Sequence, residues 1–268
     1  MCLIGIAFHA HPGVPLLIAA NRDELHDRRA AAAAFWDDAP EVLAGRDLVG
    51  GGTWLGVTRG GRVAALTNYR APEYMQASGG PSRGLLVRDF LIGDGDAVAF
   101  AARLRAERGR YPGYNLVFGG VDGLWVYASH VDTLTAVTPG VHGLSNHLFD
   151  TPWPKVRRVK AALEHAIAGE DIDFGSLHEA LGDRWPAPDA DLPDTGVGLD
   201  LERRLSPPFI EGERYGTRAA TVVAVDVAGQ IVFDEARFAP HGSFIASSRH
   251  RITAAGVEVR REVSALSS

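Results

Sequence analysis

The second residue of the chain, Cys2, is its only cysteine. Removal of the initiator methionine, which a small side chain at position two permits, would make Cys2 the N-terminal residue. Its α-amine would then have a pKa of roughly 7.7–8.0, close to the thiol value of about 8.5, so the amine could take the thiol proton near neutral pH. This position predicts a cysteine nucleophile that carries its own base. The alternative is a small apolar side chain at the start of a buried strand.

A block of four polar residues, Asn21–Glu24, follows an apolar, strand-like segment. Side chains alternate along a strand, so the adjacent residues Arg22 and Asp23 would point to opposite faces. If the first two strands form a hairpin, the end of the second lies beside Cys2, where a carboxylate or guanidinium could orient the amine or hold a thiolate. The alternative is a solvated strand end with an internal ion pair.

Three further residues have side chains suited to an acyl-transfer site. Asn68 and Asn146 each follow an apolar segment and could donate amide hydrogens to an oxyanion, although asparagine in this position is also a common turn residue. Arg218 enters the last predicted hairpin and could bind a substrate carboxylate or lower the pKa of the thiol. The alternative for Arg218 is an ordinary surface arginine.

Other chemical patterns are weaker. The segment Gly80–Gly84 has the G-x-S-x-G spacing of a serine nucleophile, but a polar loop precedes it where that motif requires a strand. His9 and His11 lie in a predicted turn, and no third metal ligand has diagnostic spacing. A single cysteine excludes an intramolecular disulfide and an all-cysteine zinc site. The sequence therefore predicts no metal site and no required cofactor.

The elements that must position these residues are mostly hairpins, with helices grouped between them. Helices are predicted over 82–92, from Asp96 to Glu107, and after Pro154 as far as Gly169. Strands are predicted at Cys2–Phe8, Leu16–Asn21, Trp54–Thr58, Arg62–Thr67, Asn115–Phe118, Leu124–Ala128, Thr221–Val227 and Ile231–Phe238. This order predicts an α+β fold with antiparallel sheets rather than a doubly wound parallel sheet.

The amino-acid composition excludes some functional classes for this protein. The 268 residues include 27 basic and 33 acidic side chains, a net charge of −6 that argues against nucleic-acid binding. No apolar stretch approaches the ~20 residues that span a bilayer, and no basic segment precedes the apolar start, so we expect a cytoplasmic protein without a transmembrane segment. We expect one domain over residues 1–268, with a long surface loop at 183–200 and a C-terminal tail at 256–268. The oligomeric state cannot be read from the sequence.

Taken together, the motifs resemble the NRDE-motif family, also called the transport and Golgi organisation protein 2 family. The matching segments occur in the family's order along nearly the whole chain, and their joint specificity is high. They are Met1–Cys2, Asn21–Glu24, Gly45–Asp47, Gly51–Gly56, Leu66–Arg70, Pro81–Gly84, Tyr114–Leu116, Leu144–Asn146, Thr151–Lys155, Leu192–Gly196 and Tyr215–Arg218.

That family is similar to N-terminal nucleophile hydrolases, above all to the bile-salt hydrolase and penicillin V acylase branch. The resemblance implies an αββα sandwich of two antiparallel sheets between helical layers. It implies that Cys2 is the nucleophile and that Asn68 and Asn146 are oxyanion donors. It also implies that Arg218 is an assisting arginine. The branch spaces its supporting arginine and aspartate three residues apart, whereas Arg22 and Asp23 are adjacent here, and we favour Asp23 as the residue that faces Cys2.

Two functions follow from the resemblance. In the first, the protein hydrolyses a C–N amide or ester bond of a small molecule through Cys2. In the second, the same fold is a non-catalytic carrier or chaperone for haem or for a lipid or acyl-CoA. A bound haem would need an axial ligand, and His9, His11 or Cys2 could serve as one. The sequence supplies the nucleophile chemistry in more detail, so we favour the hydrolase.

Overall fold

The computed structural model describes residues 2–75 and 79–263 of the chain. Removal of Met1, which the nucleophile hypothesis requires, concerns a residue outside these ranges. The strands are β1 (Cys2–Phe8), β2 (Leu16–Leu25), β3 (Ala30–Trp36), β4 (Ala39–Asp47), β5 (Leu55–Thr58), β6 (Val63–Asn68), β7 (Tyr114–Gly120), β8 (Gly123–Ala128), β9 (Thr133–Ala136), β10 (Gly140–Leu144), β11 (Tyr215–Val225), β12 (Ile231–Phe238), β13 (Phe244–Thr253) and β14 (Gly256–Val263). The helices are α1 (Pro72–Met75), α2 (Gly84–Ile92), α3 (Ala97–Glu107), α4 (Pro154–Ala166), α5 (Phe174–Leu181) and α6 (Leu199–Leu205).

The strands of the described residues form two antiparallel sheets of seven strands each. The first sheet has the order β10-β1-β2-β11-β12-β13-β14, and the second runs in chain order from β3 to β9. Most paired strands are consecutive in the chain, but β1 also pairs with β10 and β2 with β11, and the connection between the paired strands β6 and β7 contains α1, α2 and α3. The N-terminal hairpin therefore lies in the middle of a sheet, buried on both faces.

Three apolar cores separate four layers. Ile4, Ile18 and Val223 belong to the core between the two sheets. On the other face of the first sheet, Leu3 packs with α4 and α5, and on the outer face of the second sheet α2 and α3 cover a separate core. The predicted α+β sandwich of two antiparallel sheets flanked by helices is confirmed.

Most predicted elements are present with small changes in length. The β1–β2 hairpin, the strands around residues 55–68, 114–128 and 215–238, and helices α2, α3 and α4 all occur where the sequence indicated. The Asp96 side chain caps α3 by accepting a hydrogen bond from the Ala99 backbone N–H at 2.7 Å. In the segment predicted as a surface loop, 183–200, a single 3₁₀ turn precedes α6.

The structure also has elements that the sequence did not predict: strands β3, β4, β9, β10, β13 and β14, and helices α1, α5 and α6. Among them, the alanine-rich run that begins at Ala30 forms strand β3, which pairs with β4. The predicted C-terminal tail is wrong over Gly256–Val263, which form strand β14 at the edge of the first sheet. Nearly all of β14 is exposed, so its sequence lacks the apolar alternation that marks a half-buried strand. The rest of that predicted tail, residues 264–268, lies outside the described ranges.

Candidate functional site

Cys2 opens onto a cavity of about 230 Å³ between the two sheets. The first sheet contributes the ends of β1, β2, β11 and β12, and the second contributes β3, β4 and β6 together with the segment before α2. Of the side chains predicted from the sequence, this cavity brings together Cys2, Arg22, Asp23, Asn68 and Arg218. Asn146 is fully buried behind it.

The register of the N-terminal hairpin places Arg22 beside the thiol. Cys2 pairs directly with Arg22 across β1 and β2, and directly opposed residues share one face of a sheet. The Arg22 guanidinium lies 3.8 Å from a Glu24 carboxylate oxygen. The sequence had favoured Asp23 as the residue that faces Cys2, but the strand continues to Leu25 and its register puts Arg22 on the Cys2 face.

Asp23 approaches the site from the other face of β2. Its Oδ1 accepts a hydrogen bond of 2.7 Å from Thr217 Oγ1, and burial raises the pKa of this carboxyl, while the Lys155 charge opposes that rise. The negative charge of Asp23 raises the pKa of Cys2, so the two groups interact electrostatically. Both Arg22 and Asp23 therefore line the same cavity, although they leave the strand in opposite directions.

The resting thiol is a buried one. Cys2 is 8% exposed, and burial raises its pKa, with Arg22 acting in the opposite sense. Loss of solvation outweighs the nearby guanidinium in this environment. Cys2 is therefore a neutral thiol at rest that needs a base to become a nucleophile. The lowered thiol pKa that the sequence predicts concerns the chain after methionine removal and stays a prediction.

The two asparagines lie next to each other but are differently exposed. Asn68 is partly buried and lines the cavity, whereas Asn146 donates from Nδ2 to the Asn68 carbonyl at 2.9 Å. The neighbouring Ser145 donates from Oγ to the Cys2 carbonyl at 3.1 Å, which ties this segment to the start of β1. The structure thus brings both amides to the Cys2 end of the sheet, with that of Asn68 on the cavity wall.

Arg218 occupies a bulge in β11, where the register against β2 shifts between Thr217 and Ala219. Its Nη1 donates to the Leu25 carbonyl at 2.8 Å and to the Arg28 carbonyl at 2.9 Å. These bonds fix the guanidinium at the wall of the cavity. Arg22 is the arginine whose charge is seen to lower the pKa of Cys2.

Sequence reasoning missed a buried ionic cluster behind Cys2. Arg70 Nη1 lies 2.5 Å from Glu202 Oε2, with both side chains almost fully buried, and Arg70 Nη2 donates to Asn146 Oδ1 at 3.4 Å. Thr195 Oγ1 donates to the other Glu202 oxygen at 2.5 Å. Through this chain of bonds, α6 and the loop before it orient the Asn146 amide.

Lys155, near the start of α4, completes the cluster and was also missed. Its side chain is 1% exposed, and its Nζ has no hydrogen-bond partner among the described residues. Burial, together with the Arg70 charge, lowers the pKa of Lys155 to about 8, although the charges of Asp23 and Cys2 oppose this shift. One signal could have found it, since the chain has only two lysines and this one follows Trp153-Pro154.

The segment Gly80–Gly84 is part of the site, although not as a serine elbow. Its residues Pro81–Gly84 line the cavity and lead directly into α2. Arg83 donates from Nη1 to the Gly113 carbonyl at 3.2 Å. Gly52 lets this segment approach, because a Cβ there would lie 2.3 Å from the backbone carbonyl of Gly84.

The histidines that we considered as metal or haem ligands lie elsewhere. His9 and His11 are at the turn end of β1, away from Cys2. His9 Nε2 is hydrogen-bonded to the Val121 carbonyl, and both ring nitrogens of His11 have backbone partners. Within the described residues, no group of three His, Cys, Asp or Glu side chains could hold a metal ion, and no helix is long and apolar enough to cross a membrane.

Comparison with solved structures identifies the fold. The chain is similar to the mutant C2A conjugated bile acid hydrolase from Clostridium perfringens, with a TM-score of 0.51 and 9% sequence identity over 98% of this chain and 97% of that one. At this identity the likeness concerns the fold alone. The architecture is thus that of the N-terminal nucleophile hydrolases.

Comparison of sequences identifies the family. The Transport and Golgi organization protein 2 homolog of Bos taurus is 34% identical over 256 residues, covering 88% of this chain and 92% of the relative. The homolog of Homo sapiens is 33% identical over 261 residues with the same coverage. The family model described as Transport and Golgi organisation 2 matches residues 1–240. The chain therefore belongs to the transport and Golgi organisation 2 family.

Proposed function

We propose that the protein is an N-terminal cysteine hydrolase that cleaves a C–N amide or ester bond of a small molecule. The observation that carries the proposal is the position of Cys2: the first strand begins at a cavity whose wall also holds Arg22, Asp23 and Asn68. A cavity of about 230 Å³ lies below the ~300–1,000 Å³ typical of sites for drug-sized ligands, so it fits an acyl group or one end of a longer molecule.

In the proposed reaction, methionine removal frees the α-amine of Cys2. The amine takes the thiol proton as sulfur attacks the carbonyl carbon, and a tetrahedral intermediate with a negatively charged oxygen forms. The protonated amine then gives its proton to the departing amine or alcohol, which leaves a thioester. Water hydrolyses the thioester and restores the thiol.

The raised thiol pKa suits this sequence of steps. A buried neutral thiol does not need a stable thiolate, because deprotonation and attack can be coupled through the adjacent amine. Arg22, on the Cys2 face, stabilises negative charge on sulfur, and the buried Asp23 carboxylate stabilises the protonated amine. These are complementary tasks for two residues of opposite charge.

Asn68 is the better placed oxyanion donor, since its amide lines the cavity. Asn146 engages one amide hydrogen with the Asn68 carbonyl and retains a second hydrogen. Removing an oxyanion donor typically costs about 10²–10³ in kcat. We therefore expect Asn68→Ala to lower kcat by about this factor.

The test is hydrolysis of p-nitrophenyl esters and p-nitroanilides of short acyl chains. Cys2→Ser should retain part of the activity, because a hydroxyl can still use the amine as its base, whereas Cys2→Ala should retain none. Ser82→Ala is the matched control, since Ser82 is the serine on the same cavity wall and should be dispensable. Full activity in Cys2→Ala, or loss of activity in Ser82→Ala alone, would refute the proposal.

The alternative, a carrier for haem or acyl-CoA, gives different results in the same assays. A carrier shows no turnover in any variant and instead binds its ligand stoichiometrically. Among the described side chains that line the cavity, the Cys2 thiol is the one of the usual haem-ligand types, so a haem carrier should lose its haem absorption band in Cys2→Ala.

A further inference from the structure

The wall of the Cys2 cavity carries more positive than negative side chains, although the chain as a whole is acidic. Its described carboxylates are Asp23, Glu24, Asp47 and Glu235. Its described arginines are Arg22, Arg28, Arg46, Arg83, Arg218 and Arg237. A local excess of cations in a concave, partly desolvated site attracts anions.

Three of these arginines are neutralised within the protein. Arg28 Nη2 lies 2.6 Å from Asp47, and Arg46 makes a two-bonded pair with Asp38 outside the cavity. Arg22 has Glu24 at 3.8 Å. These arginines therefore contribute little net charge to a ligand.

The other three have no carboxylate within 4 Å among the described residues. Arg83 and Arg218 donate to backbone carbonyls, which are neutral acceptors. Arg237 has neither an ion pair nor a side-chain hydrogen bond with any of the residues that the structure describes. Glu235 lies two residues before Arg237 on β12, but burial raises its pKa more strongly than the Arg237 charge lowers it, and its Oε1 already accepts a hydrogen bond from the Ala33 backbone N–H.

Arg237 and Arg218 lie close enough to disturb each other. Burial lowers the pKa of Arg218, and the charges of Arg22 and Arg237 lower it further. Two guanidinium groups that repel each other in a cavity, neither of them within 4 Å of a described carboxylate, form a surface complementary to a bound anion.

Strand register fixes where this anion would lie relative to the thiol. Cys2 pairs with Arg22, Arg22 with Ala219, and Ala219 with Arg237, so all four form one row across the sheet. Three strand spacings of ~4.8 Å separate the backbones of Cys2 and Arg237 by about 14 Å. The apolar side chains of Phe238 and Ile245 also line the cavity.

We propose that the substrate of this site carries a carboxylate or phosphate group, bound by Arg218 and Arg237, on an apolar segment whose other end presents the acyl carbon to Cys2. This inference rests on the proposed hydrolase function and adds the substrate class. A guanidinium binds a carboxylate and a phosphate with the same two-bonded geometry. The binding test therefore uses one probe of each kind.

The binding test uses Cys2→Ala, which removes turnover, and isothermal titration at physiological salt with octanoate, octyl phosphate and octanol. We expect both anions to bind about tenfold or more tightly than octanol, with the tighter of the two identifying the group. Adding Arg237→Gln should remove this preference, whereas Arg237→Lys should keep part of it. Arg251→Gln, on an exposed position of β13, makes the same change in net charge and should keep all of it.

The inference would be overturned if octanol and the anions bound with equal affinity. It would also be overturned if Arg237→Gln and Arg251→Gln reduced the preference for the anions by the same factor. Failure of the proposed function looks different. If the anions bind through Arg237 but no ester or anilide is cleaved, the anion site stands and the hydrolase does not. If neutral esters are cleaved and no anion preference exists, the hydrolase stands and the anion site does not.

Discussion

The buried pair of Arg70 and Glu202 gives the sharpest prediction of stability. The two side chains are 1% and 3% exposed, and the carboxylate also accepts from Thr195, so Glu202→Gln leaves a buried guanidinium without its counter-charge. Breaking a buried pair from one side costs about 3–5 kcal/mol. With an unfolding entropy of about 2.1 cal/mol/K per residue, a chain of 268 residues should lose about 5–9 °C in melting temperature.

The assay is thermal unfolding followed by circular dichroism, with a surface pair as the control. Arg184 and Glu211 lie 2.6 Å apart but are about half exposed, so Glu211→Gln should cost at most about 1 kcal/mol, or about 2 °C. A shift in Glu202→Gln no larger than that in Glu211→Gln would refute the reasoning. It would mean that the buried pair does not hold α6 against the Asn146 segment.

Two other predictions concern packing and charge. Gly52→Ala should lower the unfolding free energy by about 1–3 kcal/mol, because its Cβ would meet the Gly84 backbone. Gly95→Ala, whose Cβ would lie in open space, should not lower it. Equal urea midpoints for the two variants would contradict this prediction. Lys155 has a pKa of about 8 when folded and about 10.5 when unfolded, so this group binds more protons in the unfolded chain, and its contribution to stability should rise by about 3 kcal/mol between pH 8 and 10.5. Lys155→Met should lack that rise, and parallel stability curves for the two proteins between pH 8 and 10.5 would show the inference to be wrong.

The parts of the fold that the sequence predicted are those whose local pattern agrees with their burial. The β1–β2 hairpin is apolar throughout because both faces are covered, and a turn rich in histidine, proline and glycine joins its strands. Strand β3 was missed because alanine has little strand preference. Pairing with β4, and a hydrogen bond from the Ala33 backbone N–H to the Glu235 carboxylate, hold it in place.

The candidate site was predictable where local geometry decides it. A hairpin that begins at Cys2 must bring the end of its second strand back beside it, so Arg22 and Asp23 could be placed from the sequence. Lys155 and Glu202 could not, because they lie on helices that pack against the sheet from distant parts of the chain. The raised pKa of the Cys2 thiol could not be predicted from the sequence either, since it depends on how deeply the folded protein buries that side chain.

The most direct test of the central claim is the intact mass of the protein, alone and after mixing with p-nitrophenyl acetate and rapid acid quenching. Cys2 is the only thiol in the chain, so an acyl adduct that maps to the N-terminal peptide and is released by hydroxylamine identifies a thioester on Cys2 rather than an amide on the α-amine. The account predicts a chain that lacks methionine and gains one acetyl group in the wild type, and none in Cys2→Ala. A chain that keeps its methionine, and forms no adduct while the ester is hydrolysed, would contradict it.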